Sequence, residues 1–310
     1  MKIVSPSFEV LDYLDRESLA VRIEFCGRIC YKSEDKINRE SALPFVSRMA
    51  EHGHNSVLEM GVVTLQVQCA DAGQVAELFF TRPKYLFIDI NDNSLLVTGS
   101  VRAFREMLMF HPECAVVRAM CAFLYERHPY FFSTILPKNG LAADDSISVT
   151  KKELTEVDQL PPEQLAKHRH IAVKFIVNRA VTHEIVRHRP CSFLQESQRY
   201  CRYSDDKFGN EVTFIEPMFF EQNSSEYHIW KKAMQDTEQM YLQLLATSTP
   251  QAARTVLPNS CKTELIVYAN LLEWKHIFKL RTTKAAEPSM REVMIPLQED
   301  FNNRFSPVFS

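Results

Sequence analysis

Three consecutive cationic side chains, Arg187-His188-Arg189, are the part of this sequence best suited to chemistry, and Ser197 and Arg199 follow them closely. Each guanidinium presents a planar fork of N–H donors that matches two oxygens of a phosphate group. The cluster could therefore hold a phosphate together with a second acidic group. The alternative is a solvated basic surface at the end of a helix, where cations are favoured by the helix dipole.

The segment around this cluster is strongly basic. Residues 167–202 contain eight Lys and Arg but only two acidic residues, which gives a formal charge of +6 in a chain of net charge -3. A nucleic-acid-binding module that uses this segment to follow phosphates is therefore a rival hypothesis. Against it, the basic residues are interleaved with a strongly apolar pattern, which predicts that part of the segment is buried.

The apolar residues that must position the cluster recur at a helical spacing. They lie at every fourth position from Val173 to Ile185, which predicts a buried helix. Pro190 disfavours helical geometry at the residue before it. We therefore expect this helix to end near Arg187-His188, where it passes into a loop.

Helix and strand patterns alternate irregularly along the rest of the chain, which indicates the α+β class. Polar and apolar residues alternate over residues 60–69, as in a half-buried strand of an antiparallel sheet. Helices are predicted at residues 16–31, 38–51, 75–80, 102–125, 225–246, 270–280 and from Pro288; strands at 212–215 and 262–269; a hairpin at 85–97; and an exposed loop at 137–163. We expect a single domain over residues 1–310, with an antiparallel sheet flanked by helices.

Composition argues for an ordinary globular protein, with 45% hydrophobic and 24% charged residues in 310. No apolar stretch approaches the length of a membrane span, and the N-terminus lacks the apolar run of a signal peptide. The eight cysteines show no zinc-type spacing. We therefore expect no metal site, reduced and mostly buried thiols, and a cytoplasmic protein.

Four short motifs occur together in this chain and in a fixed order. They are H-x-S-x-x-E at residues 54–59, R-H-R-x7-S at 187–197 with Arg199-Tyr200 after it, A-R-x-x-L-P at 253–258, and Arg281, which lies 27 residues beyond Arg254. In this combination the chain resembles the flavin-dependent thymidylate synthase family. The matching stretches cover roughly residues 44–69, 168–204 and 250–292.

The resemblance implies a specific reaction. Enzymes of this family methylate dUMP at C5 to dTMP, with methylenetetrahydrofolate as the carbon donor. Reduced FAD supplies the hydride, and NADPH reduces the flavin again. The resemblance further implies a homotetramer whose FAD and dUMP sites are shared between subunits, with small-molecule substrates and neither nucleic acid nor membrane as a partner.

The resemblance also implies roles for individual residues. Arg281 is expected to be the catalytic residue that activates the uracil ring. Contacts to dUMP are expected from Glu184, Arg187, Gln195, Glu196, Ser197, Gln198, Arg199, Arg254 and Arg281, and contacts to FAD from Ser56, Arg187, His188, Arg189, Gln195, Asn270 and His276. Cys191 lies inside the signature and could be a nucleophile, but the resemblance gives it no such role. We expect it to be a packing thiol.

Some positions depart from the family pattern. Leu194 and Gln195 stand where Asn and Glu are common, and Leu272 and His276 stand where Arg and Asn are common. The amide of Gln195 can still form hydrogen bonds, but a possible proton acceptor is lost. A homologue that binds flavin or nucleotide without turnover is therefore a further alternative. Residues 71–167 form a long central insertion relative to compact members of the family.

Overall fold

A computed structural model describes residues 1–137, 140–141, 144–205 and 209–309 of the chain. Its secondary structure confirms the α+β class, because antiparallel sheets are flanked by helices throughout. The strands are β1 (Lys2–Val4), β2 (Ser7–Val10), β3 (Val62–Gln68), β4 (Leu86–Asn91), β5 (Ser94–Ser100), β6 (Ser148–Lys151), β7 (His170–Asn178), β8 (Ser192–Gln195), β9 (Thr213–Ile215) and β10 (Lys262–Asn270). The helices are α1 (Leu19–Ile29), α2 (Ala42–Glu51), α3 (Asn55–Leu58), α4 (Ala72–Phe80), α5 (Val101–Phe110), α6 (Ala115–Arg127), α7 (Pro129–Phe132), α8 (Leu154–Val157), α9 (Pro162–His168), α10 (Arg179–Ile185), α11 (Ser225–Thr247), α12 (Pro250–Ala253), α13 (Leu271–Arg281), α14 (Pro288–Arg304) and α15 (Ser306–Phe309).

Two four-stranded antiparallel sheets organise the described chain. Sheet I has the strand order β2-β7-β10-β8, and sheet II has the order β4-β5-β3-β6. Strands β1 and β9 form a separate parallel pair. Strand β8 is an edge strand of sheet I, and it begins three residues after the Arg187-His188-Arg189 cluster. Sheet I is therefore the element that positions the cluster.

The predicted buried helix before this cluster is wrong in its first half. The chain from His170 to Asn178 is strand β7, an inner strand of sheet I, and helix α10 begins only at Arg179. A four-residue spacing fits one face of a helix, but it also fits alternate positions on one face of a strand. Strands buried on both faces read as continuous apolar runs that periodicity alone does not separate from helices. The predicted end of the helix is close, because α10 ends at Ile185.

Two strands of sheet I run directly into the helices that carry the site, each through an asparagine. The side chain of Asn178 accepts a hydrogen bond from the backbone N–H of Val181, and that of Asn270 accepts one from Glu273. Both asparagines thus end a strand and cap the following helix, α10 or α13. Because β7 and β10 are antiparallel neighbours, the two strand–Asn–helix units start at opposite ends of the sheet.

Helix α13 is fixed against sheet I by its aromatic face. The ring of Trp274 is fully buried, and its Nε1–H donates to the backbone oxygen of Ile171 at 3.0 Å. Phe278 and Phe301 pack around the same ring, with centroids 5.7 and 5.3 Å from that of Trp274. This packing fixes the rotation of α13 and hence the direction in which its polar residues project.

Most of the other predicted elements are confirmed, and two are wrong. The predicted helix over residues 102–125 is two helices, α5 and α6, separated at residues 111–114, where Pro112 stands. The predicted loop at 137–163 contains β6, α8 and the start of α9. Strand β6 is mostly exposed at the edge of sheet II, so it lacks the apolar alternation of an inner strand. Residues 138–139 and 142–143 of this stretch lie outside the described residues.

All eight cysteines are free thiols and six of them are buried, as expected. Among the described helices, none combines the length and apolar character needed to cross a lipid bilayer.

Candidate active site

Arg281, the last residue of α13, is fixed by two hydrogen bonds to the C-terminal end of α10 and one to His188, which follows that helix. Its Nε donates to Nε2 of His188 at 2.9 Å, its Nη1 to Oε2 of Glu184 at 2.7 Å, and its Nη2 to the backbone oxygen of Glu184 at 3.2 Å. A guanidinium has five N–H groups, so two remain for another partner. The side chain is 19% exposed, which leaves these two donors reachable from outside.

His188 acts as a neutral acceptor for Arg281. Burial, with smaller contributions from the nearby Arg281 guanidinium and His276, lowers the pKa of His188 to about 4. Since Nε2 accepts from Arg281, the proton of the neutral ring lies on Nδ1. His188 therefore orients the guanidinium and carries no charge of its own near neutral pH.

Glu273 and His276 lie one helical turn apart on α13 and face His188. Nitrogen or oxygen atoms of these three side chains lie within 4.8 Å of one another. Two imidazoles and one carboxylate are a set that can coordinate a divalent metal. Here the lone pair of neutral His188 already accepts from Arg281, so the set offers only one free imidazole donor. We therefore still predict that this site binds no metal.

Glu273 is a titratable group that the sequence prediction missed. Burial raises the pKa of this carboxyl to about 7, and its Oε1 has no hydrogen-bond partner among the described residues. The E-x-x-H spacing of Glu273 and His276, which puts both on one face of the predicted helix, was the available signal.

The two arginines that flank His188 in the sequence differ in the contacts that their guanidinium groups make. Within the described chain, the exposed guanidinium of Arg187 has no hydrogen bond or ion pair. That of Arg189 donates from Nη1 to the backbone oxygens of Val186 and His188, and lies 5.6 Å from the ring centroid of Phe193. The guanidinium groups of both arginines can still bind an anionic ligand.

Cys191 is a half-buried thiol near Glu273. Burial raises the pKa of this thiol, and neighbouring Glu273 raises it further, while the guanidinium of Arg189 opposes both. The net shift is upward, so the thiol stays protonated near neutral pH, which suits a packing residue better than a nucleophile.

The predicted residues Ser197 and Arg199 lie with three other side chains at the other end of β8, and we call this group the Arg199 cluster (Tyr31, His54, Ser197, Arg199, Tyr200). The backbone N–H of Ser197 donates to the oxygen of Cys30, and Nη2 of Arg199 donates to the Tyr200 hydroxyl at 2.8 Å. The ring of Tyr200 lies 5.3 Å from that of Tyr31, whose hydroxyl contacts Nδ1 of His54 at 3.3 Å.

Two further predicted residues are connected to this cluster through the chain or through the core. Ser56 is exposed and follows His54 by two positions. Arg254 is exposed, and Ala253 before it belongs to the same buried core as Cys201, two residues after Arg199. The Nε2 of Gln198 is buried and has no partner among the described residues, so an amide donor is also unused here.

Three of the predicted contact residues form hydrogen bonds within the fold, and their contacts to ligands stay predictions. Glu196 is 3% exposed, and its two oxygens accept from the Tyr203 hydroxyl and from Nζ of Lys262, each at 2.9 Å. The amide nitrogen of Gln195 donates to the hydroxyls of Thr182 and Thr263. Asn270 uses its oxygen to cap α13 and its Nδ2 to donate to the backbone oxygen of Lys167. All three side chains hold the frame of the site.

The R-H-R signature precedes β8, and the Arg199 cluster follows it. The end of β8 that leads to the Arg199 cluster also contacts α10, because Nε2 of Gln195 donates to the hydroxyl of Thr182 at 3.1 Å. Strand β8 and helix α10 therefore link the two groups of residues.

Several charges of the basic segment are neutralised inside the fold. Arg169 pairs with Asp15 at 2.6 Å and with Asp158 at 2.8 Å, and Lys174 pairs with Glu264 at 2.9 Å. The +6 counted from the sequence is thus not one continuous surface for following phosphates.

Comparison with known proteins identifies a matching family and several similar proteins. A model of the thymidylate synthase complementing protein family matches residues 9–85 and 138–305. The flavin-dependent thymidylate synthase of Pyrococcus furiosus is 37% identical over 128 residues, which cover 41% of this chain and 52% of that protein. The flavin-dependent thymidylate synthases of Geobacter sulfurreducens and Mycobacterium tuberculosis are 33% and 30% identical over 39% and 41% of this chain, and over 51% and 56% of their own lengths. The chain thus spans about half the length of the curated relatives it matches.

Proposed function

Because this chain belongs to the flavin-dependent thymidylate synthase family, we propose that it methylates dUMP at C5 to form dTMP. Methylenetetrahydrofolate would supply the carbon, and FAD, reduced by NADPH, would supply the hydride. The observation that carries the proposal is Arg281, whose guanidinium is fixed by Glu184 and His188 with two N–H groups left over.

Arg281 has a defined task in this reaction. Carbon C5 of uracil becomes nucleophilic only when electron density moves onto the ring, with negative charge developing at the N3–O4 edge. Donors held in place before that charge develops stabilise it without reorganising. His188 and Glu184 provide this positioning, and His188 does so without adding a second positive charge.

The substrate phosphate would bind at the Arg199 cluster. Arg199 and Arg254 are exposed and have no acidic partner among the described residues, so their charge is available for a phosphate dianion. Ser197 and the unused amide of Gln198 add uncharged donors beside them. Arg187 would serve the nucleotide from the Arg281 side.

The residues near His188 fit a flavin dinucleotide. Arg187 and Arg189 offer cationic donors for its pyrophosphate, and the imidazoles of His188 and His276 offer further polar contacts. The hydroxyl of Ser56 would add a contact from the side of the Arg199 cluster. The bound flavin supplies the hydride chemistry, while the protein supplies binding and orientation. The side chains of Asn270 and Gln195 are engaged elsewhere, so we assign them the positioning of neighbouring residues.

We propose a homotetramer in which neighbouring subunits complete each site, as the family resemblance implies. Arg199 and Arg254 are exposed and have no acidic partner among the described residues, so their charge is available to a ligand that another subunit helps to hold. We further propose that residues 1–310 form one domain, which includes the insertion near 71–167, and that the enzyme is cytoplasmic.

The decisive experiment is tritium release from C5-labelled dUMP by the purified, FAD-loaded protein. Release that requires methylenetetrahydrofolate and NADPH supports the proposal. Bound flavin with no release under these conditions would identify an inactive homologue instead. Colourless protein that takes up no FAD and binds oligonucleotide in a salt-dependent way would favour the nucleic-acid module.

A further inference from the structure

Glu273 is an acid buried in the first turn of α13, the helix that ends at Arg281. The residue is 9% exposed, and its Oε1 has no hydrogen-bond partner among the described residues. Burial raises the pKa of this carboxyl to about 7, and a buried charge without a partner costs stability. Acids that are perturbed in this way gather at functional sites. Glu273 therefore calls for a role other than stabilising the fold.

The groups around Glu273 include no cation that pairs with it. One of its carboxylate oxygens lies within 4.8 Å of a ring nitrogen of His188 and of a ring nitrogen of His276. The thiol of Cys191 is close enough for the carboxylate to raise the pKa of that thiol, and Arg189 acts on the thiol in the opposite direction. Burial alone raises the pKa of Glu273, and no lysine or arginine of the described chain lowers it. The two imidazoles are therefore the donors available to the carboxylate.

Of these two imidazoles, His188 is the one that contacts Arg281. His188 is buried, and its Nε2 accepts from Nε of Arg281 at 2.9 Å. The proton of its neutral ring is consequently on Nδ1, which donates to no other group in the described part of the chain. His276 is exposed and forms no hydrogen bond with Arg281. A carboxylate, an imidazole and a guanidinium thus follow one another, and a carboxylate on the far nitrogen is the device that fixes the tautomer of the histidine in a Ser-His-Asp triad.

We propose that Glu273 is a positioning residue, whose carboxylate accepts the Nδ1–H of His188 and so holds Nε2 toward Arg281. The described chain does not yet form this bond, but a small rotation of either side chain closes the gap, and catalytic hydrogen bonds often tighten only when ligands bind. A carboxylate on one nitrogen also makes the other nitrogen a stronger acceptor, so the guanidinium is held more firmly. The inference rests on the proposed function, in which Arg281 acts on the uracil ring, and it adds how that guanidinium is aimed.

The first test follows His188 by NMR in protein whose histidines are isotope-labelled at Cε1, with the His188 signal identified by its loss in His188→Gln. In the parent protein, with and without FAD, we expect this signal to move with a midpoint near pH 7, where Glu273 titrates. Glu273→Gln should remove that movement, whereas any movement caused by His276 stays. Glu292→Gln is the matched control, because burial also raises the pKa of Glu292, on helix α14, and this acid does not belong to the cluster. A His188 signal that does not move near pH 7, or that moves equally in Glu273→Gln, would overturn the proposal.

The second test is the pH dependence of tritium release from C5-labelled dUMP. Below about pH 6 the carboxyl of the parent is uncharged, like the amide of Glu273→Gln, so both proteins should release tritium at nearly the same rate. Above about pH 8 the parent should be about tenfold faster, because a hydrogen bond to a carboxylate is roughly twice as strong as one to an uncharged acceptor. Groups that titrate in both proteins cancel in this ratio of rates. A ratio that does not change with pH would indicate a packing role and contradict the proposal.

The double variant Arg281→Ala/Glu273→Gln shows whether Glu273 acts through Arg281. We expect Glu273→Gln to have no further effect in the Arg281→Ala background, because the two substitutions interrupt one chain of contacts. A further tenfold loss in that background would place Glu273 outside this chain and refute the inference. Absence of tritium release from the parent would refute the proposed function, whereas the His188 signal measures the link to Glu273 without turnover. The two failures are therefore distinguishable.

Discussion

Replacing Arg281 with alanine should abolish most methylation while leaving the fold and the flavin site intact. Three of the five N–H groups of Arg281 contact Glu184 and His188, which leaves two for the substrate. A hydrogen bond from a charged donor is worth roughly 1.5–3 kcal/mol. Because the side chain is 19% exposed, we take the lower part of that range for each.

Two such bonds contribute about 3–4 kcal/mol, in line with other preorganised donors at developing anions. At 1.36 kcal/mol for each factor of ten, Arg281→Ala should lower the rate of dTMP formation by roughly a hundredfold to a thousandfold. Loss of the contacts to α10 should cost only about 1–2 kcal/mol of unfolding free energy. Lys should rescue poorly, since a point charge does not reproduce the fork.

The assay is tritium release from C5-labelled dUMP, with flavin reduction by NADPH followed in the same samples. Flavin binding and reduction should stay near the parent level, because neither uses the free edge of Arg281. Lys279→Ala is the matched control, an exposed cation on the same helix. Near-normal dTMP formation by Arg281→Ala would refute the reasoning and leave Arg281 as an ordinary arginine at a helix C-terminus.

Three other perturbations follow from the same geometry. Mixing inactive Arg281→Ala and Arg199→Ala chains should restore measurable tritium release if the two residues serve one site from different subunits; no recovery after confirmed co-assembly would contradict the shared site. Cys191→Ala should cost about 1–2 kcal/mol in urea unfolding and keep most of the turnover, whereas a rate loss of several orders of magnitude with flavin bound would make the thiol a nucleophile. Burial raises the pKa of Glu273 to about 7 from 4.5, so its ionised form destabilises the fold. Glu273→Gln should therefore raise the unfolding free energy near pH 8 by roughly 2–3 kcal/mol, and this gain should shrink as pH falls from 7 to 4.5; an equal gain near pH 4 and pH 8 would refute the titration.

Local signals in the sequence predicted local structure well. The alternation of polar and apolar residues over 60–69 indicated β3, and the helix predicted at 270–280 corresponds to α13; both are confirmed. These features depend on neighbours in the chain, so sequence alone carries them. The helix predicted over the β7 segment is wrong because the four-residue spacing of its apolar residues fits both a helix and a strand. Only the pairing of this segment with β2 and β10 decides between the two.

The candidate site was predictable in its members but not in its contacts. Motif spacing selected Arg281, Glu184 and His188, yet their mutual hydrogen bonds join residues more than 90 positions apart. Conversely, glutamate side chains are usually exposed, but that of Glu196 is buried and accepts hydrogen bonds from Tyr203 and Lys262. Both outcomes depend on the pairing of distant strands, which no local pattern encodes.

The position of Arg281 depends on the number of residues in each of the two strand–Asn–helix units. Helix α10 is measured from Asn178 and helix α13 from Asn270, and their far ends meet where Arg281 contacts Glu184. Each added residue advances a helix by 1.5 Å and turns it by about 100°. A single insertion between Asn270 and Arg281 would therefore point the guanidinium away from α10 even if every side chain were kept. An insertion just before Asn270 would instead fall in the inner strand β10 and shift its pairing with β7. The number of residues is therefore fixed on both sides of the cap.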